Sequence, residues 1–210
     1  MKKIAKILFL SASLFCTTAC SDFLDQTAPS EQPRENVFES TFFTELAVNK
    51  LYGLMTQDAT YSRDIPIVLS TNSDCELVDG LGTDANNTTH ERGAMNYNVS
   101  PGWSKLSNVW DAMYSIIENA NLIVEGIDKS SLLMSGDSDQ RAMERFKGEA
   151  LTIRAMVYFD LIRLFGDIPY KSESSNPDLG NVYLGKSDRD VIMDELIKDL
   201  ETAITLLPRS

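Results

Sequence analysis

"GEALTIRAMVYFDLIRLFGDIPY", residues 148–170, is apolar almost all the way round when wound into a helix, yet it carries Glu149, Arg154, Asp160 and Arg163. Leu151, Ala155, Tyr158, Ile162 and Phe165 share one face, and Ala150, Ile153, Val157, Leu161 and Leu164 share a second. A helix with two apolar faces lies between neighbours. Each large side chain it buries contributes about 1.5–3 kcal/mol before entropy is subtracted. Glu149, Thr152, Asp160 and Arg163, with Met156 among them, form a narrow stripe that reads as solvated. Along it Asp160 and Arg163 can pair for about 0.2–0.5 kcal/mol. Gly166 suits a left-handed C-terminal cap, and Pro169 bars continuation. Arg154 does not fit, because it sits between Leu151 and Tyr158 on an apolar face with no acid three or four residues away. Its partner must come from another helix, with Asp194, Glu195 and Asp199 as candidates.

Outward from this stretch, the chain of 210 residues is 43% hydrophobic and 24% charged, an ordinary globular composition. Its first residues stand apart: "MKKIAK" is a basic start and "ILFLSASLF" an apolar run too short to span a bilayer, the form of an export signal over residues 1–19. Small residues directly precede Cys20 in "TTAC", which resembles a bacterial lipoprotein box in which Cys20 becomes the acylated N-terminus. Lipid chains would then hold the protein at a membrane rather than through it. Residues 20–36 read as the lipidated cysteine and a polar, proline-containing tether, and residues 37–210 as the folded domain.

Without Lys2, Lys3 and Lys6 the formal charge moves from −12 to −15, with 16 basic against 31 acidic residues. That balance argues against nucleic acid and other polyanions as partners. Once Cys16 leaves with the signal and Cys20 carries lipid, Cys75 is alone and no internal disulfide forms. The single histidine, His90, sits in a polar run, and Cys75 with His90 makes no oriented triad, so no catalytic residue and no metal or cofactor site is expected. The acidic loop "SDCELVDGLGTD" lacks the alternation of a calcium loop.

The remaining periodicity is helical. A helix is expected over 39–56, starting near Glu39 or Ser40, with Phe43, Ala47, Leu51 and Leu54 as its apolar stripe. Residues 57–102 show no sustained period, and only "IPIVLS" (65–70) reads as strand-like or buried. The period returns along Trp103, Leu106, Trp110, Met113, Ile117 and Val124, with Gly126 expected to close that helix, followed by a polar spacer, "SSLLMSGDSDQ". A last helix starts at Ser187 or Asp188, and its Leu196, Leu200, Ala203 and Pro208 follow the spacing of the second helix of a tetratricopeptide repeat. Ala155 and Tyr158 match the first helix of such a repeat, so the two form one hairpin in which residues 166–186 replace the usual short turn. The fold class is therefore all-α, built of tetratricopeptide-like hairpins with long irregular loops.

Four blocks, "CSDFLD", "WDAMYSIIENANLIVE", "GEALTIRAMVYFDLIRLFGDIPY" and "VIMDELIKDLETAITLLP", occur in an order that resembles the N-terminal region of the SusD/RagB family of nutrient-binding surface lipoproteins. The resemblance implies a lipid anchor in the cell outer membrane, capture of nutrient, most readily a glycan, and delivery to a SusC-like TonB-dependent transporter. It also implies a longer protein, so this sequence reads as truncated, with its last helices exposing apolar surface. One clear unit and two less clear helices are few for a solenoid, which needs about three units. Sugar capture uses aromatic faces ringed by amides and carboxylates. Asn72, Asp74, Asn96, Tyr97 and Trp103 supply these groups in or beside the irregular segment, with Trp103 also on a helical stripe that favours the core. The alternative is a lipid-anchored tetratricopeptide-like adaptor for envelope assembly that binds no nutrient. An enzyme ranks third, since abundant carboxylates do not make a pair at a working separation.

Overall fold

In a computed structural model, which describes residues 34–70, 73, 102–136, 138–176 and 178–208, the chain is helical. After a short turn at Arg34–Val37 come α1 (Thr41–Met55), a π-helical turn (Asp58–Ser62), α2 (Asp64–Ser70), α3 (Ser104–Lys129), a 3₁₀ turn (Ser131–Met134), α4 (Ser138–Phe165) and α5 (Arg189–Leu206). Among the described residues there is no strand, only an isolated antiparallel bridge between Ile168 and Ser187.

The stretch at 148–170 sits where its two apolar faces require. α4 packs against α1, α3 and α5. Leu151, Ala155, Tyr158 and Ile162 are buried on one side, and Ala150, Ile153, Val157 and Leu161 on the other. Gly166 adopts φ +74°, and its N–H donates to the Ile162 carbonyl at 3.0 Å, the cap expected for it. The stripe is less solvated than its polarity suggests. Met156, Phe159 and Arg163 are exposed, but Asp160 is buried, because Tyr61 Oη reaches it from 99 residues away at 2.9 Å while Arg163 Nη1 donates at 2.8 Å.

α1 begins at its N-cap Ser40 and buries Thr44, Val48 and Leu51, leaving Phe42 and Leu46 outside. Glu39 instead receives the Ser131 N–H and hydroxyl. Three expectations fail locally. "IPIVLS" is the helix α2, not a strand. Pro66 lies in its first turn, where the missing N–H is not needed, and Ile65 is buried. Gly126 does not end α3, which runs to Lys129. A Cβ there would stand 2.1 Å from Phe38 Cδ2, so the glycine admits the Phe38 ring. The spacer after it is ordered rather than a simple linker: Ser130 is buried and donates to the Phe38 carbonyl at 2.6 Å, and α4 begins at Ser138, well before Gly148.

α5 is capped by Asp188, whose carboxylate accepts the Asp190 N–H at 2.8 Å. It closes on α4 at Gly148, where an added Cβ would lie 2.9 Å from Leu207 Cγ. Leu196 and Ala203 are buried as expected, but Leu200 is 40% exposed, on a face it shares with Ile197 and Ile204.

Arg154 finds its partner on α5. Its Nε and Nη2 hold Asp199 Oδ2 and Oδ1 at 2.8 and 2.6 Å, and Nη1 donates to Asn121 Oδ1 on α3 at 2.7 Å and to the Ser172 carbonyl at 3.1 Å. Burial pushes the guanidinium pKa down, but Asp199 outweighs it and leaves it above the ordinary arginine value. One side chain thus joins α3, α4, α5 and the loop between the last two.

Candidate functional site

Of the residues expected to meet a ligand, Asn72, Asp74, Asn96 and Tyr97 lie outside the described residues, as do Cys20, Cys75 and His90. Trp103 is described and is 2% exposed at the N-cap of α3. Its ring is a packed side chain here and offers no open face to a sugar, the core alternative its stripe suggested.

The described residues do form one aromatic cleft, along a side of α3 that the apolar periodicity does not single out. Tyr114, Glu118, Asn121 and Glu125 recur at steps of four, three and four, and each bonds to the segment that follows α4. Tyr114 Oη donates to the Pro169 carbonyl at 2.6 Å, and Asn121 Nδ2 donates to the Lys171 and Glu173 carbonyls at 3.1 and 2.9 Å. Glu118 accepts from Lys171 Nζ at 2.9 Å and from Ser175 N–H at 2.8 Å and Oγ at 3.1 Å, while Glu125 accepts from Ser174 N–H and Oγ at 2.5 and 2.7 Å. From α4, Tyr158 Oη completes the seam by donating to the Lys171 carbonyl at 3.0 Å and accepting the Lys171 N–H at 2.8 Å. The sequence shows these residues as a polar and aromatic row one helical face away from the apolar stripe, with no local mark of what that row meets.

Trp110, one turn before Tyr114, opens the row. The rings of Trp110 and Tyr114 lie 4.8 Å apart, and Phe165 meets Trp110 edge-on at 5.0 Å and 87°. Trp110, Tyr114, Glu118, Lys171, Val182 and Leu184 line a cleft of about 350 Å³, near the lower end of the ~300–1,000 Å³ usual for small-molecule sites. Burial pushes the Tyr114 hydroxyl pKa well above the ordinary tyrosine value, so it stays a donor. Burial raises the Glu118 pKa, but Lys171 and Ser175 lower it further, and the carboxylate ends below the usual glutamate range and ionised. A second cavity of about 360 Å³, between the start of α4 and the end of α5, presents Arg141, Glu144 and Arg145 and no aromatic face. Among the described residues no three His, Cys, Asp or Glu side chains cluster as metal ligands, and no helix is long and apolar enough to cross a membrane.

Residues 22–210 match the SusD-like family described as "Starch-binding associating with outer membrane". A SusD-like protein of Formosa agariphila is 26% identical over 96% of this chain and 37% of its own length. A SusD homolog of Bacteroides thetaiotaomicron superposes with a TM-score of 0.71 at 22% identity, over 83% of this chain and 32% of that one. A laminarin-binding SusD-like protein superposes with a TM-score of 0.63 at 22% identity, over 79% and 34%. These structures share the helical fold, and the chain spans about a third of the length of the relatives it matches.

Proposed function

Because the chain belongs to the SusD-like family over residues 22–210, we propose that it acts as a non-catalytic surface lipoprotein that binds a glycan and delivers it to a SusC-like TonB-dependent transporter. The family match is the observation that carries this reading. The family's description names starch binding and the outer membrane, and a structural relative binds laminarin. In this reading residues 1–19 are the signal, residues 20–36 carry the lipid on Cys20 and the tether, and residues 37–210 form a helical domain that holds the binding loops. Asn72, Asp74, Asn96 and Tyr97 are proposed ligand contacts, with amides and a carboxylate around an aromatic ring.

Calorimetric titration with laminarin, starch and xyloglucan oligosaccharides is expected to show binding of at least one, with the sugar recovered uncleaved. Cys20→Ser is expected to abolish incorporation of labelled palmitate and release the protein from the membrane fraction. No binding to any of the three would sink the glycan reading, and cleavage would sink the non-catalytic one. One observation favours a second reading, a lipid-anchored adaptor: the apolar face of α5, with Ile204 64% and Ile197 48% exposed, suits a protein partner. An adaptor would bind no sugar in the same titration and would retain envelope proteins on affinity capture.

A further inference from the structure

We propose that the cleft between α3 and the segment after α4 is a carbohydrate subsite that seats one neutral pyranose ring of an oligosaccharide against Trp110. This rests on the glycan-binding reading above and adds contacts from residues other than Asn72, Asp74, Asn96 and Tyr97.

The cleft has the three things a sugar ring needs. The first is a fixed aromatic wall. Trp110 is only partly buried, unlike Trp103, and its orientation is held by the edge-on Phe165 ring and by Tyr114, itself tied to the Pro169 carbonyl. A pyranose presents a face of polarised C–H groups, which the negative π face of an indole attracts. The second is unspent hydrogen-bonding capacity beside that wall. Lys171 has three N–H donors and gives two, to Glu118 and to Ser175 Oγ at 2.5 Å. The Glu118 carboxylate has about four acceptor positions and fills three, from Lys171, Ser175 N–H and Ser175 Oγ. One donor and one acceptor are left, the complement of a vicinal diol, in which each hydroxyl both gives and receives. The third is an apolar lip, Val182 and Leu184, which are 43% and 40% exposed.

Size and charge narrow the ligand. A cleft of about 350 Å³ is large enough for a ring and too small for an extended chain, so a longer glycan must continue out of its open side. Glu118 and Lys171 neutralise each other, and a protein with 31 acidic residues repels polyanions, so the ring is a neutral hexose or pentose rather than a uronic acid.

The chain's two tryptophans make the test direct. The full chain labelled with 5-fluorotryptophan gives two fluorine resonances, assigned through Trp110→Phe, and is titrated with laminarihexaose, maltoheptaose and a xyloglucan heptasaccharide while calorimetry reports affinity. The expected result is a saturable shift of the Trp110 line with the Trp103 line unmoved, and a loss of affinity of about tenfold in Leu184→Glu. Leu184 lies on the exposed lip, so that variant keeps its circular dichroism. Calorimetric binding that moves only the Trp103 line, or neither line, places the sugar elsewhere and overturns the subsite while leaving the glycan reading intact. A Trp110 shift with unchanged affinity in Leu184→Glu also overturns it. Absence of binding to all three sugars overturns both proposals.

Discussion

Replacing Arg154 with methionine removes four hydrogen bonds at once, and the structure says what each loss costs. Arg154 is 5% exposed and the Asp199 side chain 13%, so the pair is nearly, though not fully, withdrawn from water. Removing one member of a buried pair typically costs about 3–5 kcal/mol, because the other charge is stranded. The residual exposure of Asp199 puts this case at the lower end, about 3 kcal/mol. Asn121, fully buried, loses the donor to its Oδ1, which adds about 1 kcal/mol. The Ser172 carbonyl belongs to an exposed residue and is rehydrated. With a urea m-value near 2 kcal/mol/M, a loss of about 3–4 kcal/mol lowers the unfolding midpoint by about 1.5–2 M. Lysine at 154 keeps the charge without the planar fork, and should fall between wild type and methionine. The double change Arg154→Met with Asp199→Leu removes both charges together and leaves mainly the Asn121 deficit, about 1 kcal/mol. A coupling of about 2 kcal/mol or more in the double-mutant cycle is therefore expected. A midpoint shift under about 0.5 M at constant m, or additive single changes, would show that Arg154 is not the junction described.

Two glycines give opposite outcomes to the same substitution. Gly53→Ala meets no atom within 4 Å and should raise stability by about 0.5–1 kcal/mol through helix propensity. Gly126→Ala drives a methyl into the Phe38 ring and should lower stability by about 1–3 kcal/mol, with the loss reduced when Phe38→Leu is added; thermal melts of the four proteins check this. Gly166→Ala, at φ +74°, should cost about 1–2 kcal/mol in a urea melt. In acid, the pKa values of Glu118 and Asp64, lower folded than unfolded, contribute stability that is fully present above the unfolded carboxylate value, about 4, and is lost as pH falls through the folded ones. Glu118→Gln should flatten that acid limb, measured as urea midpoint against pH.

What the sequence disclosed and what it hid divide along the range of the interactions involved. α4 was legible because its two apolar faces, Gly166 and Pro169 are read within a few turns, and Arg154 betrayed its need for a distant acid by lacking a near one. Asp160 misled because its partner, Tyr61, comes from a segment with no periodicity of its own. "IPIVLS" misled because Ile65, Ile67 and Val68 are β-branched. What fixes α2 in place is Asp64, its side chain 2% exposed and gripped by Arg63 and by Lys105 from α3. Gly126 misled as a helix cap because a close approach leaves no local mark, and only Phe38 reveals it. The cleft was missed for a related reason. The sequence marks Trp110 as apolar, but nothing local says that Tyr114, Glu118, Asn121 and Glu125 face a loop rather than water.

That loop is what turns a repeat hairpin into a candidate binding surface. Lengthening a turn from about four to about twenty residues costs only about 1–1.5 kcal/mol in closure entropy, so residues 166–188 are tolerated between α4 and α5. Ordering them is the larger cost, about 1–2 kcal/mol per residue. It is met unevenly along the segment. From Ile168 to Ser175, buried Ile168 and Ser174 and the bonds to α3 and α4 hold the backbone at nearly every step. Beyond Asn176, Asn181 Nδ2 bonds back to the Ser174 carbonyl, but Leu179, Val182, Tyr183 and Leu184 stand exposed. The cleft therefore has a floor fixed by the helices and a lip whose side chains carry little of the fold. Changes at Glu118 or Lys171 must disturb the scaffold, whereas changes at Val182 or Leu184 can retune what the cleft accepts at small cost to stability.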